Sequence, residues 1–130
     1  MRREEKMRTA RAWIAGNFLP TSMADFMKIA PPGSEENAYV RQVTSYWEMV
    51  ASFITQGVLN QELFFQSGQE MLLTWTRIKA VVPELRQAFQ NPGAYKNMET
   101  VATEYIAYMK RKDPNAYDAF EARINAMVKK

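Results

Sequence analysis

Between Pro31-Pro32-Gly33 and Gly57 lies the feature that most restricts what this chain can fold into. Tyr39, Val40, Val43, Tyr46, Trp47, Val50, Phe53 and Ile54 recur at helical spacing and form one wide apolar stripe. Ser34 is placed to cap this helix, and Glu35 and Glu36 suit its positive N-terminal end. Gln56 is its expected last residue. Gly57 sits where a left-handed C-cap belongs, with Val58 as the usual apolar companion. From Asn37 to Gln61 the only charges are Arg41 and Glu48. The face opposite the stripe carries Thr44, Ser45, Ala51, Ser52 and Thr55, small enough for a second layer to approach. The pattern therefore predicts a central helix packed on two sides, with Glu48 partly buried on the second.

The flanking segments are helical as well. Residues 3–16 place Met7, Ala10, Ile14 and Phe18 on one face, and Gly16-Asn17 is a plausible stop. Thr21 or Ser22 can cap a short second helix to Ile29, and Asn60 a short fourth from Gln61 to Gln66. Ser67-Gly-Gln-Glu70 has capping-box spacing and predicts the start of a fifth helix. Its stripe is Met71, Leu72, Trp75, Ile78, Val82, Leu85 and Phe89. Pro83 lies inside that stripe and removes the bond to the Lys79 carbonyl. Because the stripe keeps its phase, a kink near 79–83 is expected rather than two separate helices. Asn91-Pro92-Gly93 ends it, and a sixth helix from Tyr95 to Lys112 buries Met98, Val101, Ala102, Tyr105, Ile106 and Met109. Asp113-Pro114 reads as the cap of a seventh helix reaching Val128, with Tyr117, Phe120, Ile124 and Met127 inward. No alternating strand pattern competes. The expected fold is all-α: residues 1–130 as a single compact bundle of about six to seven helices, the third central, the fifth kinked at Pro83, and the basic helix of residues 1–17 peripheral.

The absence of cysteine and histidine removes thiol catalysis, thiolate metal sites and the commonest general base. No catalytic constellation, calcium loop, phosphate-cradling glycine motif or Glu-x-x-His pair is legible, so no catalytic residue, metal or cofactor is assigned. Absent cysteine fits a reducing cytoplasm. No apolar run approaches the roughly 20 residues of a membrane helix, and Met1–Met7 lacks the apolar core of a signal peptide. The net charge of +3 arises wholly from Arg2, Arg3, Lys6, Arg8 and Arg11 against Glu4 and Glu5. The balanced remainder is unlike a nucleic-acid footprint.

Four groups of residues are candidates for a site or a contact. Arg86, at the edge of the fifth-helix stripe, is the expected partner of Glu48. Arg41 is second choice, and Arg77 points away on a helical wheel. A structural tie is favoured over a ligand pocket near Glu48, Trp75 and Arg86. Tyr46, Trp47, Trp75, Tyr105 and Tyr108 lie in or beside stripes and read as core first. Met23, Met27 and Met49 are less clearly inward, and a surface patch there would suggest a partner. The five basic residues beside Trp13, Ile14 and Phe18 have the composition of an interfacial helix. Glu4 and Glu5 dilute that charge, which favours a helix docked on the bundle.

The stretch Tyr46-Trp47-Glu48-Met-Val-Ala-Ser-Phe-Ile-Thr-Gln-Gly57-Val-Leu59, followed by Leu63, Trp75 and Arg86, resembles a family of uncharacterised bacterial helical domains. Their pattern is an aromatic-aromatic-Glu start, a glycine about nine residues on, and a later Trp and Arg. The resemblance covers residues 35–90. It implies framework roles for Glu48, Gly57 and Arg86, and many such domains follow a membrane anchor, which this sequence does not show. The expected function is a non-catalytic protein-interaction or regulatory module that binds a protein partner or itself. The alternatives are membrane attachment through the basic helix, or a ligand-binding or enzymatic bundle with a pocket near Glu48 and Arg86.

Overall fold

The computed structural model describes residues 2–129, with side chains from residue 4 onward. These residues form eight α-helices: α1 (Arg2–Asn17), α2 (Met23–Ile29), α3 (Glu35–Thr55), α4 (Gln61–Phe65), α5 (Gln69–Ile78), α6 (Val82–Ala88), α7 (Lys96–Lys112) and α8 (Ala116–Asn125). No strand occurs among them. The all-α class stands, and the count exceeds the six to seven helices expected.

The extra helix comes from Pro83. Instead of a kinked continuous helix, α5 and α6 are separated by a 3-10 turn, Lys79–Val81. Proline has no N–H to offer the Lys79 carbonyl, so the Val82 N–H takes that carbonyl in a tighter bond one residue early. The apolar stripe survives the break. Ile78, Val81, Val82 and Leu85 are all buried, and only Phe89 turns out to solvent.

Local capping follows the sequence where the signal is a single side chain. Ser22, Ser34 and Asn60 accept from the backbone N–H of Asp25, Asn37 and Leu63 respectively. The capping box at Ser67 does not form. Gly68 holds the N-cap position without a side-chain bond, packed so closely against the Phe64 ring that a β-carbon would collide with it. Asp113 closes α7 and accepts from the Asn115 N–H, which moves the start of the last helix to Ala116. That helix ends at Asn125, and Met127 is exposed rather than inward.

Gly57 terminates α3 with φ at +82°. The N–H groups of Val58 and Gly57 donate to the carbonyls of Phe53 (2.8 Å) and Ile54 (3.1 Å), the paired bonds of a Schellman ending. Open space surrounds the position, so only backbone strain opposes a side chain there. Gly57→Ala is expected to lower unfolding free energy by about 1–2 kcal/mol, the cost of a left-handed L-residue. Urea denaturation checks this, and an unchanged midpoint would contradict it.

The most completely buried helix is α5, not α3. On α5, seven of ten residues are buried: Met71, Leu72, Thr74, Trp75, Thr76, Arg77 and Ile78. The longer α3 packs chiefly against α1 on one side and α7 on the other, and only lightly on α5. Its buried residues are Val40, Val43, Thr44, Ala51 and Ile54. Tyr46 and Phe53, read as part of the buried stripe, are 43% and 41% exposed. The stripe is wider than the groove that α1 and α7 leave for it.

Candidate functional site

Glu48 points from the middle of α3 at the first turn of α7. The chain enters that helix through Tyr95, held in the left-handed region at φ 61°, with no cap of its own. Three N–H groups of the opening turn therefore need acceptors. The Lys96 N–H finds the Gly93 carbonyl. Glu48 takes the other two, accepting from the backbone N–H of Met98 (2.8 Å) and Asn97 (3.2 Å), and it also accepts from Asn97 Nδ2 (2.9 Å). Its charge faces the positive end of the α7 dipole. This carboxylate is an N-cap supplied by a neighbouring helix.

Arg86 is not its partner. The Arg86 Nε donates to the Ala94 carbonyl at 2.8 Å and a terminal nitrogen donates to Glu99 Oε1 at 3.1 Å. Glu48 and Arg86 thus grip the same turn, residues 94–99, from two sides through different groups. The expected tie between α3 and the α5–α6 segment is replaced by two ties to α7. Arg41 also lies elsewhere, donating to the Asn37 side chain. Trp75 is buried within α5, and neither it nor Arg86 lines the depression beside Glu48. Glu48 borders only a shallow open depression, whose rim carries Met49, Phe89 and Tyr95.

The wheel misplaced Arg77. Its side chain is completely buried, and four backbone carbonyls surround it. One terminal nitrogen donates to Ile14 (2.5 Å) and Phe18 (3.0 Å), the other to Ala15 (2.9 Å) and Ile124 (2.5 Å). These carbonyls belong to the C-terminal ends of α1 and α8, the negative ends of both dipoles. Burial pushes the guanidinium pKa down. It starts so high that the group stays charged wherever the protein folds. Because the Arg77 side of α5 is covered by the ends of α1 and α8, the direction away from its apolar stripe leads to helix ends and not to water. The legible signal was an arginine flanked by Thr74, Trp75 and Thr76, with no other charge between Met71 and Ile78.

The basic first helix is docked by its apolar side chains. Ala10, Ile14 and Phe18 are fully buried, and Trp13 packs against Phe18 and Tyr39. Of its five basic residues, Arg11 is bound to Glu70 of α5, and Arg8 is exposed. Lys6 flanks a surface groove with Glu5, Thr9 and Tyr39, and the side chains of Arg2 and Arg3 lie outside those described. The residues an interfacial helix would sink into lipid are already in the core. No helix among the described residues is long and apolar enough to cross a membrane.

What the bundle leaves uncovered is one side of α3. Tyr46, Met49 (47% exposed) and Phe53 follow each other at helical spacing on that side. Val58 and Leu59, both exposed, fold back on the Phe53 carbonyl, and Leu63 of α4 is exposed as well. Met27 is a further exposed methionine, whereas Met71 and Met98 are in the core. No charged side chain lies on α3 between Arg41 and its C-terminus except Glu48, which is turned into α7.

No curated protein and no solved structure matches the chain significantly. Residues 1–105 match the family model described as Domain of unknown function (DUF4760), a span that includes α1 to α6 and most of α7, with both Glu48 and Arg77. The chain belongs to this DUF4760 family.

Proposed function

We propose that this domain is a non-catalytic protein-interaction module whose contact surface is the outward side of α3 with the α3–α4 turn. The observation that carries the reading is the row Tyr46, Met49 and Phe53, continued by Val58 and Leu59, all exposed on a side to which α3 contributes no free charge. Contiguous exposed apolar side chains are a mark of interaction surfaces. The residues first weighed for chemistry support the same reading from the other direction. Glu48 and Arg86 have their hydrogen-bonding capacity committed to the start of α7, and Trp75 is enclosed in the core. A cysteine-free chain suits a reducing compartment, and we place the domain in the cytoplasm.

A photo-crosslinking side chain tests this. Installed at Met49 in the full chain and irradiated in the source cell, it should give a discrete protein adduct. The same group at Ala119, exposed on α8, should not. Equal adduct formation at both positions, or none at either, would overturn the assignment.

A further inference from the structure

We infer that the cleft between α1, α3 and α5 binds a small carboxylic acid with an apolar body, held by Arg11 in place of Glu70. This goes beyond the contact surface proposed above and does not rest on it. Two hollows adjoin in the cleft. The inner one, about 150 Å³, is walled by Ile14 and Ala15 of α1, Val43 of α3, and Leu73 and Thr74 of α5. Its walls offer apolar contact only. The Thr74 hydroxyl donates to the Glu70 carbonyl of its own helix, and the Ala15 carbonyl accepts from Arg77. An apolar hollow of that volume takes a body about the size of a benzene ring. The outer one, about 280 Å³, is bordered by Met7 and Trp47. Arg11 and Glu70 line both hollows, so their ion pair stands between the two. Among the described residues they are the only charged side chains on either lining.

The ion pair gives the ligand its charged end. Arg11 donates to Glu70 through Nε and a terminal nitrogen, one bond to each carboxylate oxygen, the second at 2.8 Å. A guanidinium grips any carboxylate with this fork, so Glu70 stands where a ligand's carboxylate would be held. The two side chains are 45% and 36% exposed, and a pair so close to solvent adds little to stability and exchanges readily. A ligand carboxylate repeats the same two bonds. Unlike Glu70, it also carries an apolar body into the inner hollow, and the area removed from water favours the exchange. An amine could take Glu70 by the mirror-image exchange. Trp47 decides between them. Its indole N–H is buried with no acceptor among the described residues. Such a donor is uncommon in a folded protein, and a carboxylate brings the acceptor it lacks where an ammonium does not.

Calorimetry on the full chain tests this with phenylacetate and isovalerate as probes. Phenylacetate should bind with a Kd of about 0.1–1 mM, the range open to so few atoms. Benzyl alcohol and benzylamine should bind about tenfold more weakly or not at all. Methyl resonances of Ile14, Val43 and Leu73 should shift on binding. Glu70→Gln removes the competing carboxylate and should tighten phenylacetate about fivefold. Arg11→Met should abolish the preference for the acid over the alcohol. Ala15→Leu fills the inner hollow and should end binding with an unchanged circular-dichroism spectrum. Leu73→Trp fills it from α5, so the test stands if either variant fails to fold.

Binding that survives both filling variants, or an acid preference that survives Arg11→Met, would overturn the inference. So would tighter binding of benzylamine than of phenylacetate. Absence of saturable binding of either acid, by the parent and by Glu70→Gln alike, removes the site and leaves the α3 contact surface standing.

Discussion

Replacing Arg77 by methionine is expected to lower the unfolding free energy by about 3–5 kcal/mol, a large share of what holds a domain of this size together. Methionine fills much of the volume, so packing accounts for little of that loss. The loss comes from the carbonyls of Ile14, Ala15, Phe18 and Ile124, which share the two terminal nitrogens around a fully buried side chain. Arg77→Lys keeps the charge but not the planar fork. One ammonium cannot span four acceptors spread over two helix ends, so about half the loss should remain. Urea denaturation of the three proteins measures this. Hydrogen exchange should show the loss first at the C-terminal ends of α1 and α8, which this side chain joins beside the bond from the Lys129 N–H to the Gly16 carbonyl. A methionine variant within about 1 kcal/mol of the parent would mean that those carbonyls find other donors.

The contrast between Arg77 and the caps shows what the sequence makes legible. Ser22, Ser34, Asn60 and Gly57 act within a few residues of themselves, and each was readable because both partners lie on one short segment. Periodicity likewise located the helices, since a stripe is a property of one element. It does not report how many sides an element buries. For α5 the stripe faces one way while most of its other positions are buried too, so an arginine that points away from the stripe still lies inside the fold. The same blindness ran the other way on α3, where Tyr46 and Phe53 extend the stripe beyond the surface that α1 and α7 cover. Glu48 was legible as a carboxylate in need of partners. Its partners were not, because they are backbone N–H groups that every residue type carries and only a helix start leaves free. Choosing Arg86 matched charge to charge. The fold matched charge to dipole, and used Arg86 on the carbonyl and carboxylate of that same turn.

That distinction makes the second large effect a discriminating one. Glu48→Ala should cost about 2–3 kcal/mol, combining a lost N-cap with a lost charge at the positive end of α7. Glu48→Gln retains one acceptor oxygen in place and loses the charge, so roughly half that cost is expected. If Glu48 were paired to Arg86, removing either would strand the other, and the double variant would cost little more than one single. With the two side chains bonded to different groups, the double variant Glu48→Ala, Arg86→Met should instead cost close to the sum of the singles. Hydrogen exchange separates them further. Loss of Glu48 should speed exchange at the Asn97 and Met98 amides, which it caps directly. Loss of Arg86 should first loosen the turn at Ala94, whose carbonyl it holds. Strong coupling in the cycle, with the Asn97 and Met98 amides untouched by Glu48→Ala, would restore the ion pair and remove the cross-helix cap. Because the cap lies behind Met49 and beside Phe89, its loss should also leave the outward side of α3 in place. The proposed α3 contact surface and the α7 anchor are then separable, and a capping variant should weaken the fold before it weakens any binding at that surface.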